Sequence, residues 1–244
     1  MIFLATFIPS SALALSLPSH QVVCKPQIDP AKPQYIVAYG SLMAKASRNS
    51  TISETQATPI WIDGFERGWF YRSSVYSHTA PMTYLGAIAQ PNAHFNAILV
   101  RIGVSVKRGI ENLDRRETNY CRQRVKRDRI KPWWGAVQLG EPDAQIWIYY
   151  VQKPQPPNVQ YPIFQSYLDI TLSGAIEIDP TSEFGQQFIQ TTTYWSSFWV
   201  NDRPQPERAI ETPIPRIQID RILGTTAPTN RYILSRSKRR LSYF

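Results

Sequence analysis

Apolar residues run together over short stretches for most of the chain, and only three stretches repeat at helical spacing. Residues 35–39 (Tyr-Ile-Val-Ala-Tyr) are β-branched and aromatic, as a buried strand requires, and the run stops at Gly40-Ser41-Leu42-Met43. Residues 44–59 are polar without period and read as a loop or short helix. Residues 61–72 carry aromatics broken by Gly64 and Gly68, the pattern of a bent strand with bulges or corners. Residues 84–90, ended by Pro91-Asn92, and residues 96–102 read as two further strands. The pattern then changes: Val106, Ile110 and Leu113 recur at spacings of four and three, which predicts a helix over 106–120 with Ser105 as its N-cap.

Beyond that helix, residues 122–130 alternate as an exposed strand and 144–151 as one rich in Ile, Trp and Tyr. Residues 163–176 and 183–192 give the other two helical patterns, and 217–223 a short final element. Short strands separated by turn signals predict an α+β fold: a small mixed or antiparallel β-barrel with flanking helices. Three divisions follow: 1–34 as a signal-like leader and linker, 35–200 as one domain, and 201–244 as a proline-rich extension with a basic tail.

Composition adds bounds. The 244 residues are 43% hydrophobic, ordinary for a globular chain and against disorder over its whole length. The net charge of +9 favours acidic partners, but the basic residues do not form one block and no nucleic-acid motif is present. Nucleic acid is therefore ranked last among partners. Residues 2–15 are apolar or small, and Ala12-Leu13-Ala14 resembles a cleavage site, the outline of an export signal without its basic n-region. The run is too short for a stable membrane span; without export the chain would be cytoplasmic. Cys24 and Cys121 read as inert thiols, with a pair left open, and His20, His78 and His94 are too scattered to ligate a metal.

Two stretches carry candidate chemistry. A strand that delivers Gly40-Ser41-Leu42 exposes several backbone N–H groups together, which suits a carboxylate or a developing oxyanion. Leu113 and Glu117 are four apart, so Glu117 lies on the border of the buried stripe and can lean towards the core. The plainer alternative is a solvated Glu117 paired with Arg116. Ser41 lacks the Gly-x-Ser-x-Gly elbow of a hydrolase nucleophile.

The order Tyr39-Gly40-Ser41-Leu42, Gly64…Arg67…Trp69, Tyr84-Leu85-Gly86 and Leu113-Asp114-Arg115-Arg116-Glu117…Tyr120…Arg122…Val125 resembles the gamma-glutamyl cyclotransferase superfamily over residues 35–200. Gln165-Ser166-Tyr167-Leu168 adds to it, whereas Asn96 and Thr118 stand where many members have glycine. The resemblance implies cyclisation of a γ-glutamyl group to 5-oxoproline with release of an amine or peptide. It implies Glu117 as general base, and Tyr39, Gly40, Ser41, Leu42 and Tyr120 around a small-molecule γ-glutamyl substrate, with no cofactor and no metal. The alternative is a non-catalytic module of the same fold that binds a small ligand.

Overall fold

The computed structural model describes residues 23–72, 80–103, 105–135, 139–211 and 213–226; the signal-like run and the basic tail lie outside them. In chain order the elements are β1 (Gln34–Ala38), α1 (Lys45–Asn49), β2 (Glu54–Arg72), β3 (Thr83–Ile102), α2 (Val106–Arg116), β4 (Cys121–Arg124), β5 (Ile130–Pro132), β6 (Gln145–Tyr150), β7 (Ile163–Phe164), α3 (Gln165–Ile178), α4 (Glu183–Gln190), β8 (Thr192–Thr193), β9 (Trp199–Val200) and α5 (Arg216–Thr226). Short 3-10 turns occupy Ser41–Met43 and Arg127–Arg129.

The fold is α+β. One sheet runs in the order β4-β6-β1-β3-β2-β5, with β8 beside β2. β1 pairs β6 in parallel and β3 antiparallel, so β1 sits mid-sheet. Alternation along β1 sends Ile36 and Ala38 to one face and Tyr35 and Val37 to the other. The first face is covered by α2, α3, α4 and α5 through residues such as Leu113, Leu168, Phe188 and Ile222. The second face is buried entirely by residues of strands and their links, among them Ile60, Phe95, Leu99 and Ile148. A sheet face with no helix on it becomes buried only if the sheet curls over it. Among the described residues no pairing joins β4 to β5, so hydrogen-bonded closure into the expected barrel is not found.

Several sequence expectations need correction. The two strands expected over 84–90 and 96–102 are one strand, β3. Pro91 is tolerated because pairing with β2 skips from Ala89 to His94, opposite a bulge at Gly64, whose φ of 82° favours glycine. Gly68, by contrast, pairs in regular register with Gly86 and leaves room for Thr193. The loop or short helix expected over 44–59 is the short helix α1 followed by the start of β2, which pairing with β3 draws into the sheet.

Helix α2 stops at Arg116 rather than Tyr120. The Lys25 ammonium donates to the carbonyls of Asp114 (2.8 Å), Glu117 (3.1 Å) and Thr118 (3.3 Å), satisfying groups that a helix end leaves open. The exposed strand expected over 122–130 is β4, a 3-10 turn and the start of β5. Its Arg122 is buried: the guanidinium meets Asp114 at 3.0 and 3.2 Å, donates to Pro26 O at 2.9 Å and lies 4.5 Å from the Trp147 ring centroid. Cys121 is not a free thiol but is joined to Cys24, which ties residues 23–26 beside the end of α2. No helix among the described residues is long and apolar enough to cross a membrane.

Candidate functional site

The mid-sheet strand β1 ends where helix α3 crosses it, and the turn at Gly40–Met43 is held from several sides. At Gly40 (φ −126°) a Cβ would lie 3.0 Å from the Tyr167 hydroxyl, so glycine serves here to let that hydroxyl approach. A Cβ on Gly174 of α3 would fall 2.3 Å from Ala44 N and 2.4 Å from Met43 C. Helix and turn therefore touch backbone to backbone. The Arg48 guanidinium donates to the carbonyls of Leu42 (3.1 Å) and Met43. The Arg116 guanidinium donates to Ser41 Oγ at 3.1 Å and Ser47 Oγ at 2.8 Å. Hydrogen bonding within the turn starts with Met43 N–H to Gly40 O at 2.8 Å, and among the described residues nothing accepts from the N–H groups of Ser41 and Leu42.

Glu117 follows directly on α2, its N–H donating to Leu113 O at 2.7 Å. Its backbone is thus set by the buried stripe of α2 on one side and by Lys25 on the other. Asp114, one turn earlier, is consumed structurally by Arg122 and by the Tyr149 hydroxyl, which donates to it at 2.7 Å. The Glu117 carboxylate is different. It meets Arg116 Nε at 3.4 Å, is 17% exposed, and accepts no hydrogen bond from the described residues. Burial pushes its pKa above the usual carboxylate range, and the cations of Arg116, Lys25 and Arg208 pull back only part of that rise.

These two pieces share one cavity of about 40 Å³, room for two or three waters. All six residues singled out from the sequence line it: Tyr39, Gly40, Ser41, Leu42, Glu117 and Tyr120. Their geometry differs in kind. The Tyr39 hydroxyl is spent on the backbone, donating to Tyr149 O and accepting from Ala87 N at 3.2 Å, while its ring packs edge-on to Phe95. The Tyr120 hydroxyl donates to Leu85 O at 2.8 Å. Both pKa values are pushed well up, by burial first and then by neighbouring groups including Glu117. The tyrosines thus form neutral walls, and Glu117 is the acidic side chain among the lining residues.

Besides the apolar Val37, Ala38 and Leu85, two hydroxyl-bearing lining residues escaped sequence reasoning as site residues, Tyr149 and Tyr167. Tyr167 belongs to a tetrapeptide already noted for its resemblance, and Tyr149 shares the sheet face of Trp147 by strand alternation, which is the signal that could have found it. Among the described residues no three His, Cys, Asp or Glu side chains gather as metal ligands would.

No family model matches the chain, and no curated protein matches it in sequence. Among solved structures, its fold is similar to a gamma-glutamyl cyclotransferase at 13% identity and TM-score 0.48, over 78% of this chain and 98% of that one. It is similar to an uncharacterized protein from Homo sapiens at 13% identity and TM-score 0.47, with the same two coverages of 78% and 98%. A third is a gamma-glutamyl cyclotransferase specific to glutathione from yeast, at 13% identity and TM-score 0.43, over 85% of this chain and 100% of that one.

Proposed function

We propose that the protein cyclises a γ-glutamyl group to 5-oxoproline and releases the attached amine or peptide. The observation that carries this reading is the shared cavity: a buried, unsaturated carboxylate faces a turn with free backbone donors. The substrate's α-amine attacks its own γ-carbonyl carbon. A C–N bond forms to close the five-membered ring, and the C–N bond to the leaving amine breaks. Nucleophile and electrophile are one molecule, so the protein has only to fold the chain, move protons and stabilise one charge. Glu117 takes a proton from the attacking ammonium, gives it to the leaving nitrogen as that C–N bond breaks, and takes up the second proton that the ring nitrogen sheds on closure, a role that its raised pKa suits. The N–H groups of Ser41 and Leu42 hold the substrate carboxylate or the oxyanion. Tyr39 and Tyr120 shape the walls.

The Cys24–Cys121 bond supports an oxidising compartment, in keeping with the signal-like leader. The small volume of the cavity favours one other reading, a binding module of the same fold without turnover.

The test is release of 5-oxoproline from γ-glutamyl dipeptides by the wild-type protein and by Glu117→Gln. Release that Glu117→Gln abolishes is the expected result. Equal release by both removes Glu117 as base, and ligand binding without any release makes the binding module the better account.

A further inference from the structure

The cavity holds only the reacting end of a small molecule, so the rest of a substrate has to lie outside it. Beside it opens a cleft of about 490 Å³ lined by Ser47, Thr51, Asn112, Arg115, Arg116 and Arg208, among others, and by no carboxylate. Arg116 joins the two spaces. It lines the cleft, donates to Ser41 Oγ in the cavity wall and sits 3.4 Å from the Glu117 carboxylate. Its other N–H groups are spent on Ser47 O at 2.7 Å and Thr51 Oγ1 at 2.8 Å. Arg116 is therefore committed, and Glu117 balances its charge.

Arg115 and Arg208 have no carboxylate in contact, although Arg208 feels the Glu117 charge from a distance and lies 5.8 Å from the Tyr84 ring centroid. Arg115 donates to the uncharged Asn112 amide oxygen, and neither arginine forms an ion pair among the described residues. Arg208 comes from the proline-rich segment after residue 200, yet its position is fixed. The Asp202 carboxylate accepts from Ser166 N–H at 2.8 Å and from Glu207 N–H at 2.9 Å, and Arg208 N–H donates to Ser166 Oγ at 3.2 Å. Arg203 ties the same segment to α3 and α5 through Asp169 (2.7 Å) and Asp220 (2.7 Å). Two guanidiniums without an ion-pair partner thus line one concave space from anchored elements. A ligand with one carboxylate balances one of them; two negative charges balance both.

Resting on the cyclisation reading above, we propose that this cleft is the leaving-group subsite and that it takes an acidic amine, a γ-glutamyl linkage to glutamate or aspartate. The α-carboxylate and the side-chain carboxylate of the leaving residue meet Arg115 and Arg208. Neutral and cationic amines leave one or both guanidiniums unpaired and bind less well.

The experiment compares γ-glutamyl-glutamate with γ-glutamyl-glutamine, which differ by one charge at constant shape. On the full-length protein, kcat/KM should favour the acid by about 5-fold, carried in KM and shrinking as salt is added. Arg208→Ala and Arg115→Ala should each shrink the ratio, and Arg208→Lys should keep most of it. Binding of both dipeptides to Glu117→Gln, followed by calorimetry, gives a readout free of turnover. Turnover of both dipeptides at equal kcat/KM, or a preference that survives in the double alanine variant, overturns the subsite and leaves cyclisation standing. Selective binding of the acid with no turnover does the reverse.

Discussion

Two of the places where arginine meets carboxylate among the described residues do opposite things with the same groups. At Arg203 the guanidinium is saturated: Asp169 accepts at 2.7 and 2.8 Å and Asp220 at 2.7 and 2.9 Å. Burial alone would lower the Arg203 pKa, but its hydrogen bonds to both aspartates outweigh it and hold the proton firmly. At Glu117 one nitrogen approaches to 3.4 Å, no hydrogen bond reaches the carboxylate, and burial dominates. A charge whose hydrogen bonds are complete fixes a chain; a charge left incomplete can exchange a proton. The first cluster anchors the chain at Arg203 to α3 and α5, and the second faces a cavity.

Removing each charge in turn breaks the comparison open. Glu117→Gln should cost about 10²- to 10⁴-fold in turnover, the range of a general base, with no loss of stability. Arg203→Met should show the reverse in urea unfolding: a loss of about 3 kcal/mol, since two carboxylates are left facing each other without their cation. A large stability loss in Glu117→Gln, or none in Arg203→Met, would show that the division between anchor and acid is drawn in the wrong place.

A smaller effect tests whether the turn must sit where α3 puts it. Gly174→Ala would drive a Cβ into the backbone of Met43 and Ala44, which cannot swing aside as a side chain would. Displacement of the turn by a fraction of an ångström should lower kcat/KM by roughly 10-fold or more, since misplacement by about 1 Å can cost 10²-fold. The control is Gly224→Ala in α5, where a Cβ meets nothing within 4 Å. That change should leave activity alone and raise stability by up to about 1 kcal/mol through helix propensity.

How far the sequence reached is visible in the same residues. Gly40–Leu42 and Glu117 were legible because each is a local signal: a strand cut by glycine, and an acid at the edge of a helical stripe. What escaped depends on partners far along the chain. The end of α2 is set by Lys25, whose ammonium reaches Asp114 and Glu117 from the other side of β1, β2 and β3. Arg122 reads as exposed by alternation, and only Asp114, Pro26 and the Trp147 ring make its burial tolerable. Arg208 lies in a stretch with four prolines and no period, so nothing local announces that Asp202 and Ser166 hold it in place. Pro91 argues locally for a turn, and only the skipped register opposite Gly64 shows how a strand passes through it.

The smallest expected effect is the most specific to the unsaturated carboxylate. Burial raises the Glu117 pKa above its unfolded value, so the folded state holds this proton more tightly than the unfolded chain does. Below the unfolded value both states are protonated and the site costs nothing. As pH climbs from there through the folded value, the unfolded chain ionises first, and stability is lost. At neutral pH Glu117→Gln should therefore melt higher than the wild type, and the gap should close as pH falls towards about 4. Over the same window, kcat/KM of the wild type should rise as Glu117 ionises, so the protein gains its base as it loses stability. Melting temperatures of the two proteins from about pH 4 to about pH 8 decide it. A gap that does not change with pH would mean that the carboxylate is solvated, and the contrast with Arg203 would reduce to one of geometry alone.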